Sequence, residues 1–100
     1  MTRLAIFVRL HAKPGHEEEL ATFLRDALPL AEAEPGTPMW FALRFDARTF
    51  GIFDAFADEQ ARQAHLDGPI AAALMANAER LLASPPVIEK IDLLAAKGTG

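Results

Sequence analysis

The stretch "FGIFDAFADEQARQAHLDGP", Phe50 to Pro69, changes periodicity midway. In its first half Phe50, Ile52, Asp54 and Phe56 alternate with a second set of residues, so Thr49 to Ala57 reads as an aromatic-rich strand. Asp58 then supplies an N-cap for a short helix, Glu59 to Leu66, because its carboxylate can accept from the free N–H groups of the first turn. Gly68-Pro69 breaks that helix, and Pro69 suits the first position of another helical piece reaching about Leu82. Two polar residues stand out. Asp54 shares its strand phase with Ile52 and Phe56, and His65 shares a helical face with Ala57, Ala61, Ala64 and Gly68.

Working outward, Met39 to Phe45 reads as a strand joined to Thr49–Ala57 by the polar "DART" turn, an antiparallel hairpin. Upstream, Arg3 to Ala12 alternates Leu4, Ile6, Val8 and Leu10 with Arg3, Phe7, Arg9 and His11, the period of a strand with one well-buried face. "KPGHEEEL" gives a turn and then three glutamates suited to the positive end of a starting helix, whose apolar stripe is Leu20, Phe23, Leu24, Ala27 and Ala31. Pro29 should kink that helix or end its regular part, and "EPG" at Glu34 to Gly36 closes it. Downstream, "SPP" stops the last helix and Val87 to Leu94 forms a final strand. The order is β-α-β-β-α-β. This predicts an α+β, ferredoxin-like domain over residues 1–97, with a four-stranded antiparallel sheet and two helices on one face. Residues 98–100 are expected to fray. The second sheet face would expose too much apolar surface, so a homodimer through the open sheet face is expected.

The chain has 100 residues, 51% apolar and 24% charged, which suits one soluble domain with its own core. A net charge of −4, with Lys and Arg scattered, argues against nucleic acid or an anionic membrane as partner. Cysteine is absent, which removes disulfides, thiolate metal sites and a Cys nucleophile. The early apolar run "LAIFV" is too short for a signal segment or a membrane span, so a cytoplasmic location is expected. His11, His16 and His65 have no ligand spacing, and neither metal nor cofactor is expected.

The segments "RLHAKPGHEEEL", "EPGT" and "FDAFADEQARQAHLDGP" together resemble the antibiotic-biosynthesis-monooxygenase family of dimeric α/β-barrel proteins, over about Leu4 to Leu94. The likeness rests most on Asp54, Phe56, Asp58-Glu59, His65 and Pro69 in that order. It implies a homodimer whose sheets form a barrel, with an apolar pocket in each subunit between sheet and helices. Some members oxidise polycyclic phenols to quinones with molecular oxygen and no metal or flavin; others degrade haem, act on signalling metabolites, or have no established activity. The residues that the haem-degrading branch needs fall at Val8, His65 and Met75 by a gapless reading, and none of that trio is kept. Phe56 stands where the family often has Trp, and the chain has no tyrosine to supply a phenolic hydroxyl.

The expected site is an apolar pocket lined by Phe7, Val8, Phe23, Phe56, His65 and Leu74, with Asn77 as a polar group on the core-facing stripe of the last helix. His65, which titrates nearest neutrality, is the candidate base, and Asp54 the candidate group orienting it. Asp54 has a second candidate partner in Arg44 on the neighbouring strand, which would make it structural. Asn77 suits either a ligand oxygen or a satisfied structural amide. Trp40 suits a dimer interface or a ligand wall. The activity these residues and the resemblance imply is cofactor-independent monooxygenation of an aromatic, quinol or polyketide-like molecule. A non-catalytic small-molecule-binding or stress-related protein, or a cofactor-free isomerase on the same fold, are the alternatives.

Overall fold

A computed structural model describes residues 3–97; the expected tail at 98–100 lies outside the described residues. The chain runs β1 (Leu4–His11), α1 (Glu17–Asp26), α2 (Leu28–Glu32), β2 (Met39–Arg44), β3 (Thr49–Phe56), α3 (Glu59–Leu66), α4 (Pro69–Leu81) and β4 (Val87–Asp92). All strand pairs are antiparallel, in the order β2-β3-β1-β4. This is the ferredoxin-like βαββαβ fold, with each helical leg broken in two. The first leg breaks at Ala27, and Pro29 takes an early position in α2, where its missing N–H leaves no bond unmade. The second breaks at Gly68, with Pro69 opening α4.

The cross-strand register shows why alternation decides the layers. Ile6 faces Asp54, Val8 faces Ile52 and Leu10 faces Phe50, so these residues share the helix-covered face. The apolar ones join Leu20, Leu24, Phe56, Leu74 and Leu81 in one buried cluster. The opposite phase pairs Phe7 with Phe53 and Phe53 with Phe41 on the face that no helix covers. There Phe41 and Phe53 stack at 6.3 Å, Phe7 and Phe45 meet edge to face at 6.2 Å, and the Arg9 guanidinium lies over the latter two rings. Gly51 permits this cluster, since a Cβ there would come within 3.1 Å of the Phe45 ring. Phe41 remains 48% and Phe45 52% exposed. At the sheet edge, β4 has Val87 and Ile88 largely exposed although they point to opposite faces. No helix among the described residues is long and apolar enough to cross a membrane.

Leu10 is fully enclosed between β3 and the helices. Leu10→Ala should cost about 2–5 kcal/mol through lost burial and a residual cavity. The measurement is a lowered urea midpoint at unchanged slope.

Candidate functional site

Asp54 projects from the middle of β3 onto the helix-covered face and is 0% exposed. A carboxylate there is costly unless a partner compensates it. That partner comes from α3. Asp58 caps the helix by accepting the Ala61 N–H at 2.8 Å, and the helix then carries His65, 8% exposed, over the sheet. His65 Nε2 lies 2.7 Å from Asp54 Oδ2, close enough for the two groups to pair. The ring also packs on Phe56, centroids 5.1 Å apart. Arg44, the alternative partner, instead donates to Glu18 Oε2 at 2.8 Å and covers the Phe50 ring.

A third member arrives from the α2–β2 loop. Glu34 Oε1 lies 2.6 Å from His65 Nδ1 and accepts the Thr37 hydroxyl at 2.9 Å. The loop reaches the imidazole because Gly36 passes against α3, where a Cβ would fall 2.7 Å from that of Ala61. His65 is therefore bracketed by carboxylates on both ring nitrogens. A neutral imidazole would turn one lone pair toward carboxylate oxygens, so the arrangement favours the imidazolium. Burial alone would lower the His65 pKa; the hydrogen bonds and charges of Asp54 and Glu34 outweigh it and hold the imidazole above its ordinary value. Burial raises the Asp54 carboxyl, His65 pulls it back, and the Glu34 charge adds to the rise.

Glu34 and His65 border a cleft of about 350 Å³ between the Glu34–Thr37 loop and the α3–α4 turn, and Asp54 lies behind the His65 ring. The cleft walls are mostly apolar, with Pro35, Ala61, Ala64 and Pro69 facing Glu34 and His65. Of the residues expected to line a pocket, His65 borders this cleft. Phe7 lies on the opposite, uncovered sheet face; Val8 and Leu74 are in the buried core, and Phe56 lies beneath the His65 ring. Phe23 packs on the edge of the core beside a separate surface hollow with Glu19 and Arg80. The Asn77 amide donates to the Ala73 carbonyl at 2.8 Å and accepts from Arg80 at 2.9 Å, bonds confined to its own helix. Trp40, cross-strand from Asp54, packs against the core with its Nε1 buried and unbonded. Among the described residues no group of His, Cys, Asp and Glu converges as a metal site. Glu34 is the member that the sequence did not single out. Its signal was the "EPGT" turn, which places a carboxylate beside a glycine able to approach a helix closely.

Both shifts run upward, so the folded chain binds more protons than the unfolded one and loses stability as pH rises. The His65 contribution is full below the ordinary imidazole value of about 6.5 and is lost as pH climbs through the raised folded value. That of Asp54 is full below about 3.9 and is lost as pH climbs through its own raised folded value. Denaturant unfolding from about pH 5 to about pH 9 should show a loss of stability, and His65→Gln should change its slope. A pH slope in His65→Gln equal to that of the parent would assign it elsewhere.

No family model and no curated protein matches the chain. Solved structures do. A Nitrosomonas europaea protein of unknown function, NE2512, is 69% identical, with 100% of this chain and 97% of that one covered and a TM-score of 0.97. PA3566 from Pseudomonas aeruginosa is 26% identical over 95% of this chain and 97% of that one, with a TM-score of 0.81. A second Nitrosomonas europaea protein, provisionally named an antibiotic biosynthesis monooxygenase, matches at 17% identity over 92% of this chain and 99% of that one, with a TM-score of 0.82. The chain thus belongs to the family of the NE2512 protein, and its architecture is the antibiotic-biosynthesis-monooxygenase-like fold.

Proposed function

We propose that the chain is a cofactor-independent monooxygenase acting on an aromatic, quinol or polyketide-like molecule bound in the cleft. The observation that supports this most is the Glu34–His65–Asp54 trio beneath apolar walls. A base must first remove a proton from an activated C–H or phenol, leaving a substrate anion able to give an electron to oxygen. The trio accepts that proton as a coupled unit, with His65 at the cleft and Asp54 behind it holding the ring. Apolar walls limit water around the anion. For a ring methylene the balance is CH2 plus O2 giving C=O plus H2O, with no added reductant. The fold likeness to a provisionally named monooxygenase agrees with this activity.

A second reading, a binding protein without turnover, is favoured by one feature of the same site. Both His65 nitrogens face carboxylates, so the ring must first be released, or relay through Glu34, before it can take a substrate proton. Oxygen uptake with a panel of quinols and polycyclic phenols separates the two. The monooxygenase predicts uptake that His65→Ala reduces by roughly two orders of magnitude or more, the usual scale for a lost general base. Undiminished uptake in that variant would remove His65 from the chemistry, and ligand-induced thermal stabilisation without uptake would establish the binding protein.

We also infer a homodimer through the uncovered sheet face, on the strength of its half-exposed Phe41 and Phe45 beside Phe7 and Phe53. Sedimentation equilibrium should return twice the chain mass, and Phe41→Asp should return the single mass. A dimer that survives Phe41→Asp unchanged would place the interface elsewhere.

A further inference from the structure

Little besides His65 fastens the Glu34–Thr37 loop to α3. Pro35 and Pro38 bring no N–H. Among the described residues, the loop's backbone bonds stay within it or return to α2, except that the Gly36 carbonyl accepts the Ala57 N–H at a long 3.4 Å. Thr37 donates its hydroxyl to Glu34, inside the loop. What remains is Glu34 Oε1 at 2.6 Å from His65 Nδ1, with Gly36 passing close over Ala61. Among the described residues Asp54 and Glu34 alone pair with the ring. On its own helix, Asp58 caps Ala61, Arg62 turns toward Glu59 and Asp67 accepts from Gln63. Arg80 of α4 lies in the last turn against Glu19, beside Glu79, and Glu32 of α2 borders a separate hollow. On β1 and β2 the cross-strand neighbours of Asp54 are Ile6 and Trp40.

We propose that the Glu34–Thr37 loop is a proton-controlled latch on the cleft, closed on α3 while His65 carries a proton on each ring nitrogen and released when it gives one up. Two carboxylate contacts on one ring need two protons between them. With one proton fewer, one contact sets a lone pair against a carboxylate oxygen. Asp54 is wholly enclosed in mid-strand and has no route to water, so the remaining N–H stays on Nε2 to meet it. Glu34 is partly exposed on a loop and can turn to solvent. Pro35 and Gly36 leave with it, and that wall of the cleft opens. The two carboxylates hold the imidazole above its ordinary value, so release comes at a pH above about 6.5. Coupling is reciprocal: the proton stabilises the closed loop, and the closed loop stabilises the proton. The latch operates whether or not the cleft supports turnover, and so goes beyond the monooxygenase reading.

The test is nuclear magnetic resonance of the whole chain in heavy water across a pH titration, reading carbon-bound protons so that amide exchange does not interfere. Two signals are followed in the same samples. The His65 ring Cε1–H shift, assigned by its absence in His65→Gln, reports the protonation of the ring. The Overhauser contact between the Gly36 α-protons and the Ala61 methyl group reports the closed loop. That contact should be strong below the midpoint of the ring and lost as the ring titrates. Glu34→Gln should keep it on both sides of the midpoint, because a side-chain amide can accept from an Nδ1–H or donate to an Nδ1 lone pair. Glu34→Ala should lack it at every pH and lower the midpoint of the ring. A parent contact that survives titration of the ring would overturn the proposal, as would a ring that stays protonated until the chain unfolds. So would a Glu34→Gln loop that lets go at the same pH as the parent. Should a variant fail to fold, the two signals of the parent protein decide the question alone.

Discussion

A carboxylate fully enclosed in the centre of a sheet cannot persist without compensation, and the cleft side of the molecule is built around that constraint. Asp54 sits where Ile6 and Trp40 are its cross-strand neighbours, positions that ordinarily hold another aliphatic residue. His65 compensates it, and to do so α3 must start at a defined residue and lie at a defined height over β3. The Asp58 cap sets the start, and the Phe56 ring beneath the imidazole sets the height. Glu34 then closes the other side of the ring, which requires a loop that can pass against Ala61, hence Gly36. Removing His65 leaves both carboxylates without their cation, and such sites are strongly destabilised by a truncation that leaves a buried charge unpaired. Replacing the whole set with apolar residues is often neutral or stabilising, so packing alone does not explain a buried carboxylate–imidazole–carboxylate array.

The two faces of the sheet divide the remaining roles. The helix-covered face carries the aliphatic core and the trio; the uncovered face carries rings stacked on one another with Arg9 laid across them. Adjacent residues of a strand point to opposite faces, so Phe7 and Val8 cannot line the same one-sided pocket. Phe7 belongs with Phe45 and Phe53 on the open side, and Val8 belongs beneath the helices. Alternation in β1 was plain in the sequence, but it does not say which phase a ligand meets.

Most of the fold was legible because each boundary had a local chemical cause. Asp58 caps, Pro29 and Pro69 open helical segments, and the alternation of β1 and β3 marks a half-buried sheet. The contact between Asp54 and His65 was legible as one of two options, since both belong to one strand–helix unit. Glu34 was not, because its partner lies thirty-one residues further on. What joins them is the crossing of a loop over a helix, a tertiary event with no periodic signature. Asn77 shows the converse limit: a polar residue on an otherwise apolar stripe, whose amide is used by Ala73 and Arg80 of its own helix.

The bracketed imidazole also bears on which chemistry the cleft can support. A histidine whose two nitrogens both face carboxylates has no free lone pair to offer a metal or haem iron. Proton abstraction meets a different obstacle. Forming a substrate anion beside Glu34 and Asp54 places like charges together at short range in a weakly solvated cleft, which opposes the step.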